Sequence, residues 1–351
     1  MSRLPIAGPI PMAQREGRAS PSAHRRGGTL HLEDQGSQPA PPVKGATWEW
    51  YIPIYFWLGG ISGGAWLMTA AEDLAGGRDR RVIRAARYVA LGSLLGGTAL
   101  LIADLGRPDR FLNMLRVFRR RSTMSLGAWG LTLYGGLAGA AALLQVAEDG
   151  WLGNWPMLSR MSRGAPGRVL HALGLPPALF VGGYTGVLLG ATNTPSWARR
   201  ARLLGPLFLS SAVSSGAAAV SAAVELAGGV RRRTRRRLAR AERAALASEL
   251  ALTIVSEREA HRLVSAHHEP GVLRPARGLM LAAGMAAPLA LAMTEHRGKT
   301  RRRKAGLASA ALALAGSLGL RYLTTYEGYR SARTPDDTWR HTARLPPRDH
   351  E

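Results

Sequence analysis

Four stretches of this chain run for more than twenty residues without a charged side chain: 50–71, 122–147, 169–198 and 203–224. A helix needs roughly 20 apolar residues to cross a hydrocarbon core, so each of the four is long enough. Shorter uncharged runs at 88–103, 278–294 and 305–320 extend the pattern. It predicts an all-α, polytopic membrane protein. The formal charge of +24 and the 46% hydrophobic content coexist because the charge is segregated into tails and loops.

Two classes of chemistry fall away on composition. Cysteine is absent, which removes disulfides, thiolate zinc sites and cysteine-ligated iron–sulfur clusters from the polypeptide itself. A basic balance this strong can signal nucleic acid. Here the arginines bracket the apolar runs, and no soluble basic domain is left over to bind it. Anchoring at the membrane surface and topology account for them better.

Residues 1–46 are rich in Pro, Gly, Ser and Arg and read as a disordered tail. Residues 47–330 form the transmembrane domain, and 331–351 a polar tail. The first span, near 48–74, opens with Trp48, Trp50, Tyr51, Tyr55 and Trp57, as in an aromatic belt at headgroup level. It continues as GGISGGA, where Gly59/Gly63 and Gly60/Gly64 make two small-residue stripes along which neighbouring backbones can approach. Further spans are expected near 82–103, 122–147, 168–190, 203–226, 241–265, 276–294 and 305–326. Pro176 and Pro177 should kink the fourth. Glu249, Glu257 and Glu259 interrupt the sixth, which is therefore expected to face protein or a polar cavity. Lys and Arg number 22 in the odd loops against 13 in the even ones. The positive-inside rule then puts the odd loops in the cytoplasm, and both termini with the Asp104 loop outside.

Between the second and third spans lies LIADLGRPDRFLNMLRVFRRRSTMSLGA, residues 101–128. Asp104 sits where the apolar helix gives out, Gly106 and Pro108 break the backbone, and Arg107 and Arg110 add positive charge at the same level. An ionisable group at the mouth of a membrane helix marks a candidate site. A capped interfacial loop, with Asp104 paired to Arg107, fits the same residues.

Five segments together resemble one family: YFWLGGISGGA, LLIADLGRPDRFLNML, STMSLGAW, GGYTGVLLGATNTPSW and GPLFLSSAVSSGAA, with YEGYRSARTP near the end. They are similar to the NrfD/PsrC family, the polysulfide-reductase-type membrane subunits of molybdopterin and iron–sulfur oxidoreductases. The likeness covers about residues 48–340. It implies eight transmembrane helices in two four-helix bundles, set in the cytoplasmic membrane. It also implies electron exchange between a menaquinone or ubiquinone pool and an iron–sulfur subunit, which in turn serves a molybdopterin catalytic subunit. By the resemblance, Tyr184 in GGYTG matches a tyrosine at the quinone, and Asp104 and Arg107 match the lining of the pocket mouth. Tyr51 and Tyr55 are the corresponding candidates in the first span.

The chemistry agrees. Quinone reduction takes two electrons and two protons, so a pocket needs hydrogen-bond donors at the carbonyls and a titratable group nearby. Tyr184 can donate, Asp104 can relay, and Arg107 can keep Asp104 ionised. Tyr184 could equally be a buried tyrosine satisfied by a backbone carbonyl. Glu72, Asp73, Glu225 and Glu249 join Asp104 as proton-relay candidates, or else pair with the loop arginines. Haem is not expected, because a bis-histidine site needs two facing histidines and only His171 lies well within a span. A secondary transporter and a purely structural anchor are the competing functions.

Overall fold

The computed structural model describes residues 50–74, 79–105, 113, 115–151, 153, 155–263, 273–294 and 298–333. The N-terminal tail, Arg107 and Arg110, the His267–His268 pair and everything beyond 333 lie outside the described residues. Among those described there is helix and no strand. The long helices are α1 (Tyr51–Leu74), α2 (Arg80–Asp104) and α3 (Thr123–Glu148). Short α4 (Pro156–Arg163) and α5 (Ala165–Leu173) lead into α6 (Leu175–Gly190), and the single turn α7 (Pro195–Ala198) follows. The remainder comprises α8 (Ala201–Leu226), α9 (Arg232–Leu263), α10 (Leu273–Met293) and α11 (Lys299–Arg333).

Among the described residues, six helical stretches are long and apolar enough to cross a membrane: α2, α3, α5 with α6, α8, α10 and α11. The sequence leads to eight. The two outside that set are α1, whose apolar face is diluted by glycine, tyrosine and tryptophan, and α9, which carries arginines and glutamates along its length.

Local chemistry explains the starts and breaks. Asp79 caps α2 by accepting from the Arg81 amide at 3.1 Å, and Ser122 caps α3 by accepting from Ser125 at 3.3 Å. The interruption expected of Pro176 and Pro177 in the fourth span is present, as a break ahead of them between α5 and α6. The backbone breaks at Gly174, and both prolines fall in the first turn of α6, where their missing N–H groups cost nothing. Gly174 is under the indole of Trp66, so a side chain there would displace that ring. The middle of α10 (Met280–Ala286) widens into a π-helix just ahead of Pro288. α11 is longer than expected and keeps YEGYRSAR helical through Arg333.

α1 and α8 lie at the centre. α1 packs on α2, α6, α8 and α11, and α8 packs on α1, α6, α9 and α11. The two glycine stripes of α1 serve different neighbours. Gly59 and Gly63 face Val181, Ala178 and Gly182 of α6, while Gly60 and Gly64 face Ala212 and Gly216 of α8. A Cβ on Gly64 would run into the Ala212 carbonyl, and one on Gly216 into the Gly64 backbone. This crossing admits only glycine.

Candidate functional site

At the Asp104 end, α1, α2, α3 and α6 bring an aromatic set together. Tyr55 is half-buried and its ring packs on Gly97 of α2, where a Cβ would lie 3.5 Å from Cδ2. Tyr55 and Leu101 belong to both apolar clusters of this end, one built around α8 and α11, the other around Trp66 and Tyr134. Tyr184 of α6 lies within electrostatic reach of Tyr55. Its ring rests against Gly127 of α3 and stacks on Phe180, with centroids 4.9 Å apart and planes at 28°. Phe180 rests in turn against Gly130 and is exposed at its outer side. The aromatic ladder of Tyr184 and Phe180 therefore lies on a glycine track of α3, with its outer rung exposed on the face where lipid would be.

The Tyr184 hydroxyl donates to the Thr123 carbonyl in the first turn of α3. Tyr51 sits one turn before Tyr55 on the same face, with its ring 4.1 Å from that of Trp50. Asp104 ends α2 half-buried, within electrostatic reach of Tyr329 on α11. Tyr329 makes an edge contact with Trp197, centroids 6.2 Å apart. The structure thus brings Tyr55 within electrostatic reach of Tyr184, and Asp104 within reach of Tyr329. Arg107 lies outside the described residues.

Trp197 is fully buried, donates to the Thr324 carbonyl at 2.7 Å and lies over Gly328. Ser331 reaches across to Ser196 at 2.9 Å. TNTPSW and YEGYRSAR are therefore two halves of one contact. Beside them Arg200 donates to Glu327 at 2.6 Å, while Arg277 pairs with Glu327 and, at 3.2 Å, with Glu257. Burial pulls the Arg200 guanidinium below its ordinary pKa, and Glu257 opposes that.

Three relay candidates gather at the far, Arg80, end. Glu72 accepts from the Asp79 amide at 3.2 Å and lies 3.9 Å from Arg237. Glu225 holds Arg235 through both oxygens, at 2.7 and 3.3 Å. Asp73 meets His171 Nδ1 at 2.7 Å. Arg87 Nε donates to His171 Nε2 at 3.1 Å, which leaves the ring proton on Nδ1, donated to Asp73. Both histidine nitrogens are therefore engaged. Arg87 Nη1 also donates to Gln145 at 3.0 Å and to Ser162 at 2.7 Å. Glu249, the fourth candidate apart from Asp104, is buried between α8 and α9 and accepts from Ser214.

Three residues escape the sequence reading. Arg87 counts among the loop cations by position, yet it is 1% exposed. Its signal is the buried stripe Ile83, Arg87, Ala90, Leu94 at helical spacing. Arg321 likewise falls on the stripe Ser317, Arg321, Thr324 of α11 and is fully buried. Tyr329 carries no such signal, since only the fold brings it to Asp104.

The family described as "Polysulphide reductase, NrfD" matches residues 41–332. The sequence is 32% identical over 187 residues to "Protein NrfD" of Escherichia coli, across 49% of its own length and 57% of that protein. It is 30% identical over 183 residues to the C subunit of polysulfide reductase from Wolinella succinogenes, across 48% of its own length and 55% of that protein. The match thus spans just over half the length of these curated relatives. With the quoted motifs meeting each other in the fold and the family matching nearly all the described residues, this protein belongs to the NrfD family of polysulfide-reductase-type membrane subunits.

Proposed function

We propose that the protein is the quinone-reactive membrane subunit of an oxidoreductase complex. It anchors an iron–sulfur subunit, serves a molybdopterin catalytic subunit through it, and passes electrons between that partner and menaquinone or ubiquinone. The name of the Wolinella relative describes one polypeptide of a polysulfide reductase among several. The observation that carries the reading is the Tyr184–Phe180 ladder on its glycine track, with Tyr55, Asp104 and Tyr329 at the same end.

In this reading a flat ring enters from lipid beside Phe180 and lies against the Tyr184 ring. Phenolic hydroxyls of Tyr55 and Tyr184 donate to its carbonyls, and Tyr184 turns from Thr123 to do so. Two electrons from the partner and two protons convert quinone to quinol. Asp104, with Tyr329, exchanges those protons with the water at that face. Arg107 lines the mouth and Tyr51 its rim. α1 and α9 cross the membrane with the other six, giving eight helices in two bundles that meet at α1 and α8. The basic odd loops face the cytoplasm and the Asp104 loop faces outward.

Glu72, Asp73, Glu225 and Glu249 remain relay candidates toward the opposite face. The first three are held by arginine or histidine, a pairing that also serves structure alone. One observation favours a second reading, a structural anchor without quinone chemistry: the Tyr184 hydroxyl is already bonded to Thr123.

Quinol oxidation by the purified complex separates the two. Tyr184→Phe and Asp104→Asn are each expected to lower turnover at least about tenfold, the scale of a lost donor or proton relay. Wild-type kinetics in both variants would leave only the anchor.

A further inference from the structure

Behind α1, on the side away from Tyr184, Arg321 forms a charged site with the relay candidate Glu249. Arg321 of α11 is fully buried. Its Nε donates to the Phe56 carbonyl at 3.1 Å, and Nη1 donates to Ser211 Oγ at 2.7 Å and to the Ser317 carbonyl at 3.0 Å. Nη2 occupies the space a side chain on Gly60 would need. The guanidinium carbon also lies 5.4 Å from the Phe208 ring centroid. Across α8, Glu249 is 1% exposed and accepts from Ser214 through Oε2. Ser211 and Ser214 are three residues apart on one face, so both charged groups are held by the same turns of α8.

Two atoms here have no hydrogen-bond partner among the described residues: Arg321 Nη2 and Glu249 Oε1. One is a donor and the other an acceptor, and both are buried. Leaving such groups unmet is costly enough that native proteins fill the gap, commonly with water. Each therefore has capacity for one further hydrogen bond.

The position matters because Phe56 follows Tyr55. Side chains at successive helical positions point about 100° apart, so Tyr55 faces α2 and the aromatic ladder while the Phe56 and Gly60 side of α1 faces Arg321. We propose that Arg321, with Glu249 as its countercharge across α8, is a positioning residue that fixes a positive charge behind the α1 wall of the pocket. It favours a ring carrying negative charge over the same ring without it. This rests on the quinone reading given above. Glu249 acts with the opposite sign, as the countercharge on the far side of Arg321.

Equilibrium binding to the intact complex tests this with two naphthoquinones of similar size. 2-Hydroxy-1,4-naphthoquinone is an anion at neutral pH, and 2-methyl-1,4-naphthoquinone is neutral. Arg321→Gln should weaken the anion relative to the neutral ring about tenfold, as expected for one buried charge acting across a single helix, about 10–12 Å wide. Arg321→Lys should keep the wild-type ratio within about threefold, and Glu249→Gln should shift it toward the anion by about threefold or more. If Arg321→Gln does not assemble, the nearly isosteric Glu249→Gln carries the test on its sign. An unchanged ratio in every variant, or the same direction of change in Arg321→Gln and Glu249→Gln, overturns the proposal while leaving the pocket standing. Binding of neither ring to wild type removes the pocket and the proposal together.

Discussion

Gly127 and Tyr184 make one feature between them. The tyrosine ring lies on the helix backbone where any other residue would place a Cβ. Gly127→Ala should therefore push the ring off its seat and cut quinone-linked turnover at least about tenfold, as for the lost donor in Tyr184→Phe, with the complex still assembled on gel filtration. Arg87 tests burial instead. It serves His171, Gln145 and Ser162 at once, and removing one partner of a buried charged network costs roughly 3–5 kcal/mol. Arg87→Met should lower the Tm of the detergent-solubilised protein by many degrees. Arg84→Ala breaks an exposed pair with Asp149 and should cost under about 1 kcal/mol. At this scale the sequence singles out candidates where residue type and motif coincide, as at Tyr184 and Asp104. Arg87 and Arg321 are hidden in it, because an arginine near a helix end reads by default as a surface cation. Only its place on the apolar stripe says otherwise.

Among elements, the apolar runs disclose most helices, since lipid-spanning segments announce themselves by the charges they lack. α9 is the exception. Its buried glutamates Glu249 and Glu242 meet Ser214 of α8 and Ser309 of α11, so its hydropathy reports its neighbours. The glycine stripes of α1 are visible as a pattern, but which helix each meets is not. Gly64→Val places a branched side chain into the Ala212 carbonyl and is expected to abolish recovery of monodisperse protein. Pro176→Ala with Pro177→Ala makes the contrasting case. Both prolines lie in the first turn of α6, so the double variant should change stability by less than about 1 kcal/mol. A kink-dependent helix would lose far more, and a thermal melt distinguishes the two.

For the whole molecule, the positive-inside rule gives the proposed orientation. The start of α9 carries exposed Arg231, Arg232, Arg233, Arg236 and Arg240, and that of α11 carries exposed Arg301, Arg303 and Lys304. The absence of cysteine makes any introduced thiol unique. With an impermeant maleimide on intact cells, Arg202→Cys should label and Arg233→Cys should label only after lysis. The reverse pattern would invert the topology and place the Asp104 loop in the cytoplasm.

The central claim is that a lipid-borne ring docks against Tyr184 and Tyr55, and photoaffinity labelling of the intact complex with an azidoquinone addresses it most directly. The account predicts that the label falls on peptides containing Tyr55, Gly127 or Tyr184 and is suppressed by excess unmodified quinone. Label spread over lipid-facing helices, or concentrated elsewhere, and indifferent to competing quinone would contradict it.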